Sequence, residues 1–69
     1  MAKFENIVRS PIDFLPGDTV GHEGMLMRVD KVHALTANLV RVEGNVMSFP
    51  VSTVMRIGHM TMVTRTKGE

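Results

Sequence analysis

The sequence predicts an all-β domain: a small barrel of five short strands, with a 3₁₀ turn before the last strand and an N-terminal arm. Apolar and polar residues alternate with period two over several short stretches, and Gly and Pro separate these stretches at short intervals. Tight turns at this spacing favour a barrel, because closure hides the strand edges. A helical alternative over 25–42 is disfavoured by its β-branched valines and its lack of capping signals.

The 69 residues are expected to form one domain. We predict an N-terminal arm over 1–15, the barrel over 16–63 and a flexible C-terminal tail over 64–69. A chain of this length buries only about 60% of the surface that its unfolded form exposes. It has no Cys for disulfides or a thiolate metal site, and its only aromatic residues are three Phe. Assembly into a homo-oligomer is therefore expected, since it would bury further apolar surface.

Charge and hydropathy narrow the class of partner. Eight Lys and Arg oppose seven Asp and Glu, for a net charge of +1. Nucleic-acid binding driven by counterion release needs a basic excess, so it is not favoured. The sequence contains no apolar run that approaches the roughly 18 residues of a membrane span, and the N-terminus has no signal-peptide core. A cytoplasmic protein without a membrane partner is the expectation.

The first half of the chain gives clear turn signals. Pro16-Gly17 suits the centre of a type II turn, in which glycine supplies the positive φ. A strand is predicted over 18–22, and Glu23-Gly24 then fits a two-residue hairpin connection. The alternating residues that follow predict a second strand over 25–33.

The second half is predicted from its Gly and Pro residues. A third strand is expected over 38–43, and Gly44-Asn45 fits a type II′ hairpin turn. A fourth strand over 46–49 ends at Pro50, which cannot donate to a ladder. Residues 51–54 are then predicted as the 3₁₀ turn, and the fifth strand covers 55–63 with a bend at Gly58.

No catalytic pattern stands out. The serines have no nucleophile-elbow context, and no glycine-rich loop matches a phosphate cradle. The three histidines, His22, His33 and His59, lack the spacing of a zinc site and are expected to be surface or half-buried strand residues. We therefore predict no catalytic residue, no metal and no cofactor.

Three arginines are candidate ligand-binding residues. Arg28, Arg41 and Arg56 each fall on a different predicted strand, and on a shared face they could bind a phosphate, a nucleotide or an acidic partner. In the alternative interpretation, which we favour slightly, they pair with Asp30 and Glu43 on a solvated face.

Methionine is the second candidate. The chain has seven Met, too many for so small a core, and methionine suits adaptable contact surfaces. An exposed stripe of Met47 and Phe49 with Met60 or Met62 would form an oligomer or partner interface. The equally weighted alternative is that these residues fill gaps in a core without large aromatic side chains.

Two segments carry a family resemblance. Residues 46–57, Val-Met-Ser-Phe-Pro-Val-Ser-Thr-Val-Met-Arg-Ile, and 17–20, Gly-Asp-Thr-Val, resemble the type II, plasmid-borne, trimethoprim-resistant dihydrofolate reductases. The resemblance covers about residues 17–57. It implies an SH3-like barrel and an oligomeric habit, because those enzymes are tetramers around one central pore.

The functional positions of that family differ here. The family's pore glutamine, isoleucine and tyrosine correspond to Met47, Ser48 and Phe49, and its pore lysine falls near His22. A pore lined by Met47 could not make the glutamine's hydrogen bonds to folate and nicotinamide. The resemblance therefore supports the barrel and argues against the enzyme.

These observations predict a non-enzymatic binding module, acting as a homo-oligomer, that binds a host protein or a small anionic ligand. Chains of this size and composition are frequent among accessory proteins of phages and mobile elements, and we expect a role of that kind. One alternative is a nucleic-acid-binding barrel that uses the arginine face, which the net charge and the scarcity of aromatics discourage. The other is a divergent type II reductase.

Overall fold

Six antiparallel strands form one sheet in the computed structural model, which describes residues 3–67. The strands are β1 Lys3–Arg9, β2 Thr19–His22, β3 Met25–Ala34, β4 Leu39–Val46, β5 Phe49–Arg56 and β6 Thr61–Lys67. Their order across the sheet is β1-β6-β2-β3-β4-β5, so β1 and β5 are the edges. The all-β prediction is confirmed. The predicted five-strand count is wrong, and within residues 3–67 the sheet stays open between its edges. This part of the chain also contains no helix long and apolar enough to cross a membrane.

Period-two alternation gives the sheet an inner and an outer face. On β4, Val40, Val42 and Val46 are buried, whereas Arg41 and Asn45 between them are exposed. Burying one face of each strand against a shared core is what stabilises so short a chain. The core residues are Phe14, Val20, Met27, Val29, Val40, Val42, Val46 and Val63.

The sheet is strongly curled. His22 of β2 and Met55 of β5 line one groove, although β3 and β4 separate their strands in the sheet. A flat sheet would hold such strands about 14 Å apart, so the inner face must be concave. The 3₁₀ turn Pro11–Asp13 packs against β3 and β4 and buries Pro11, while the adjoining Phe14 joins the core.

A β-bulge interrupts the pairing of β3 with β4. Val29 is opposite Gly44, but the next pair is Lys31 with Glu43, so Asp30 is the extra residue. The backbone of β3 comes so close here that a Cβ on Gly44 would collide with the Arg28 carbonyl oxygen. The lack of a side chain at Gly44 therefore lets the backbones of β3 and β4 lie close together, and this glycine lies within β4 and not in a turn.

The first-half predictions are confirmed. Gly17 has φ +94°, and the Asp18 amide donates to the Leu15 carbonyl at 3.0 Å, as a type II turn at Pro16-Gly17 requires. Glu23 and Gly24 have φ 50° and 78° and connect β2 to β3 as a two-residue hairpin turn.

The second-half predictions fail from Gly44 onward. The hairpin turn is Met47-Ser48, whose φ values are 50° and 73°, so the predicted Gly44-Asn45 turn is wrong. Pro50 lies inside β5 and does not end a strand. The ring nitrogen is tolerated because β5 is an edge strand with one free side. Residues 51–54 consequently continue the strand, so the 3₁₀ turn predicted there is wrong. The single strand predicted over 55–63 is also wrong, because β5 ends at Arg56, β6 begins at Thr61, and Gly58 lies in the connection between them.

Both ends of the described range, residues 3–67, belong to the sheet. The residues predicted as an N-terminal arm include β1, which pairs with β6 from Lys3 opposite Lys67 to Arg9 opposite Thr61. Residues 64–67, predicted as part of a flexible tail, are the end of β6. This pairing places half-buried Ile7 opposite buried Val63 and extends the core. Residues 1–2 and 68–69 lie outside the described part of the chain.

Candidate functional site

Asp18 is the buried acid of the described chain, and its bonds are structural. Its carboxylate accepts hydrogen bonds from Nε and Nη2 of Arg65, each 2.8 Å long, and from the Leu15 amide at 2.8 Å. The Arg65 hydrogen bond, opposed by burial and helped by the Leu15 amide and the Arg65 charge, lowers the pKa of Asp18. A carboxylate held ionised by a permanent cation is a poor general acid or base at neutral pH. This pair ties β6 to the turn before β2.

The three predicted arginines all face outward but form two separate groups. Arg41 is opposite Val54, and Arg56 is two residues further along β5, so Arg41 and Arg56 are diagonal neighbours. Diagonal neighbours on one face are about 7–8 Å apart. Arg28 is opposite Asn45, four residues from Arg41 along β4, which is about 13 Å at 3.3 Å per residue. Arg28 therefore lies apart from Arg41 and Arg56.

Lys31 is the cation that the sequence analysis missed. It is opposite Glu43 on the outer face, two residues before His33, which is opposite Arg41. Lys31, Arg41 and Arg56 thus follow one diagonal across β3, β4 and β5, here called the basic diagonal. Alternation counted from Arg28 would place Lys31 on the inner face, and only the bulge reverses this. The sequence carries no direct signal of that bulge.

No carboxylate within residues 3–67 forms an ion pair with a member of the basic diagonal. Glu43 is on the same face, but its Oε2 contacts His33 Nε2 at 2.7 Å. The predicted alternative, in which Arg28, Arg41 and Arg56 pair with Asp30 and Glu43, is therefore not seen among the described residues. The three cations are left with their charges directed to solvent.

A groove adjoins the end of the basic diagonal at Arg56. It is open, has a volume of about 650 Å³ and is lined by Asn38, Leu39, Arg56, Gly58 and His59. Hydrogen bonds hold its walls: the Ile57 amide donates to the Asn38 carbonyl at 2.8 Å, and Ser10 Oγ donates to the Ile57 carbonyl at 2.7 Å.

A second groove, with a volume of about 360 Å³, is lined in part by His22, which the sequence analysis named as a site residue. Arg56 and His59 border it from the other side. His22 Nε2 contacts Glu23 Oε2 at 3.3 Å. Arg56 and His59 are therefore shared by both grooves.

The predicted Met and Phe residues are exposed but do not form one stripe. Met47 and Phe49 are 85% and 73% exposed, and Met60 and Met62 are 56% and 58% exposed. Phe49 is opposite buried Val46 and so faces the inner side, whereas Met62 faces outward. Methionine does contribute to the core elsewhere, because Met27 is fully buried and the partly buried Met55 packs against the core.

The described residues contain no cluster of three His, Cys, Asp or Glu side chains that could hold a metal. Comparison with protein-family models, with curated proteins and with solved structures found no match to this chain. On the outer face, the geometry places a line of exposed cations beside a groove.

Proposed function

We propose that this protein is a non-enzymatic binding module that docks an acidic, partly apolar segment of a partner protein on the outer face of β3, β4 and β5. The observation that carries the proposal is the basic diagonal, whose three cations share a face without a carboxylate partner in residues 3–67. Desolvating such cations against carboxylates forms charge-assisted hydrogen bonds, which are about twice as strong as neutral ones.

The spread of the charges favours a segment over a small anion. Two diagonal steps of about 7–8 Å separate Lys31 from Arg56, or roughly 15 Å in all. One phosphate or carboxylate cannot contact cations that far apart. An extended peptide rises about 3.3 Å per residue, so acidic side chains four or five residues apart would reach both ends.

The apolar residues between the cations favour protein over nucleic acid. Val54 is half exposed opposite Arg41, and Leu39 lines the groove beside Arg56. Single-stranded nucleic acids need exposed aromatic rings for stacking, but Phe49 faces the inner side, and Phe4 is on the distant edge β1. The net charge of +1 also gives little counterion release.

The proposal includes the SH3-like class of small barrels as the scaffold. The curl that brings β2 and β5 to one groove supports it, with the barrel left open between the edge strands. Binding surfaces on such scaffolds are made by strand faces and the loops between them.

Fluorescence anisotropy would test this function with a labelled synthetic peptide of alternating Glu and Leu. The unsubstituted protein should bind it, and Arg41→Ala and Arg56→Ala should each weaken binding by about tenfold. Arg9→Ala is the matched control, because Arg9 is exposed on β1 and should leave binding unchanged.

Two further probes decide between partner classes. A peptide of alternating Lys and Leu should not bind, and a single-stranded oligo-dT should bind more weakly than the acidic peptide. Tighter binding of oligo-dT, with an affinity that falls steeply with salt, would replace this proposal with the nucleic-acid alternative. The proposal would also be refuted if Arg41→Ala and Arg56→Ala bound the acidic peptide as tightly as the control Arg9→Ala and the unsubstituted protein do.

A further inference from the structure

The edge strand β5 presents backbone groups that the fold does not use. Met47-Ser48 is a two-residue turn, so Val46 and Phe49 bond each other, and every second residue after Phe49 directs its N–H and C=O to β4. The hydrogen bond from the Ile57 amide to the Asn38 carbonyl continues this series. The residues in between therefore direct their backbone groups away from β4, to the free side of the strand.

The free backbone groups lie on alternate residues of β5. Ser52 and Val54 each offer an N–H and a C=O, and Pro50 offers a C=O alone. The Arg56 carbonyl is already used, because it accepts from the His59 amide at 3.0 Å. Within residues 3–67, no second strand pairs with β5, and no turn bonds the backbone of Ser52 or Val54.

The groove of about 360 Å³ runs along this free edge. Residues 53–56 line it in unbroken succession. Neighbouring side chains of a strand point to opposite faces, so consecutive lining residues place the groove along the edge of β5 and not over one of its faces. The opposite wall is formed by β2 and the start of β6, through Gly21, His22 and Thr61.

The two edges of the sheet differ in composition. The other edge strand, β1, carries Lys3, Glu5 and Arg9. Charged side chains on an edge strand deter pairing with further strands. Residues 50–55 of β5 carry no charge. The edge of β5 is thus the one whose composition permits an additional strand.

We infer that the free edge of β5 binds an extended segment of a partner protein as an additional antiparallel strand of the sheet. The backbone of the segment bonds the free groups of Ser52 and Val54. Its alternate side chains cover the half-buried Val51 and Met55 on the inner side, and the side chains between them lie on the outer face. A segment in which apolar and polar residues alternate satisfies both requirements.

A second copy of this chain does not fit the groove. The β5 strand of a second copy is bonded to its own β4, and that β4 would occupy the space where β2 and β6 form the opposite wall. A single extended segment brings no neighbouring strand with it. The inference is separate from the proposed function, because it rests on backbone groups of β5 and not on the cations of the basic diagonal.

Amide hydrogen exchange followed by NMR would test the inference on the unsubstituted full chain. The probe is an N-acetylated peptide amide of about seven alternating Thr and Val residues, about 23 Å long, which carries no carboxylate. At about 1 mM, it should slow exchange of the Ser52 and Val54 amides by about tenfold or more. The Val8 amide is the control and should not change, because Val8 lies on the opposite edge strand.

Two results of that experiment would overturn the inference. The first is unchanged exchange at Ser52 and Val54, or an equal slowing at Val8. The second is protection of Ser52 and Val54 without peptide that grows with protein concentration, because a second copy would then occupy the edge. Binding of the acidic peptide on the basic diagonal would be unaffected by either result.

N-methylated versions of the probe test the backbone pairing itself, measured by fluorescence anisotropy. In an antiparallel pair, the probe residues bonded to Ser52 and Val54 carry the outward side chains, which are the Thr residues. N-methylation of the Thr residues should therefore weaken binding by about tenfold or more, and N-methylation of the Val residues should leave it unchanged. Equal affinity of the two methylated probes would overturn the inference. Loss confined to the Val set would overturn the antiparallel arrangement.

Discussion

At the scale of single residues, Gly44 is a position where the backbone of β3 leaves no room for a side chain on β4. An added Cβ would lie 2.9 Å from the Arg28 carbonyl carbon and 3.2 Å from Val29 Cα, and these backbone atoms cannot rotate away. We expect Gly44→Ala to lower the free energy of unfolding by about 1–3 kcal/mol, measured by urea denaturation.

Gly21→Ala is the control for that substitution, because its Cβ would meet nothing within 4 Å. It should change the free energy of unfolding by about 0.5 kcal/mol or less. Equal effects at both positions would show that the bulge is not the reason for the glycine at 44.

Asp18 makes the free energy of unfolding depend on pH in the acid range. The hydrogen bond from Arg65 lowers the pKa of Asp18 below its usual value of 3.8. Because the folded-state pKa is lower than the unfolded one, the pair stabilises the fold fully above about pH 5 and loses that stabilisation as pH falls through the folded pKa. The free energy of unfolding should therefore decrease from about pH 4 downward.

Asp18→Asn isolates this contribution. It should cost roughly 1–3 kcal/mol at pH 7, because Arg65 loses its charged acceptor. It should also flatten the acid limb of a stability profile measured by thermal unfolding between pH 2 and 7. An acid limb as steep as that of the unsubstituted protein would assign the acid sensitivity to other carboxylates.

At the scale of elements, the β4–β5 hairpin has a turn that its residues disfavour. Met47 and Ser48 both have positive φ, a geometry that Asn-Gly adopts at least cost. Met47→Asn with Ser48→Gly should raise stability by about 1 kcal/mol and Tm by about 4–8 °C. A lower Tm on calorimetry would mean that the Met47 side chain makes stabilising contacts that its 85% exposure does not suggest.

The same hairpin shows where prediction from sequence stops. Turn signals located β2, β3 and the start of β4, because local residues set those turns. The turn signal at Gly44 and the strand-end signal at Pro50 gave wrong predictions. Gly44 is needed because the backbone of the neighbouring strand β3 lies close to it, and Pro50 is tolerated because β5 is an edge strand. Both depend on which strands are neighbours, which only the folded sheet determines. The place of Lys31 on the basic diagonal was missed for the same reason.

At the scale of the whole molecule, the outer face of the curled sheet carries the basic diagonal and the groove that adjoins it at Arg56. The basic diagonal crosses β3, β4 and β5 and leaves β1, β6 and β2 outside the proposed contact. Two of the three arginine candidates from the sequence, Arg41 and Arg56, belong to the basic diagonal.

The most direct measurement of the central claim is a ¹⁵N–¹H NMR titration of the full chain with the alternating Glu-Leu peptide. Binding on the basic diagonal should shift the amide signals of Lys31, Arg41, Arg56 and their cross-strand neighbours in β3, β4 and β5, and leave those of β1 in place. Shifts confined to β1 and β6, or no shifts at peptide concentrations near 1 mM, would contradict the account.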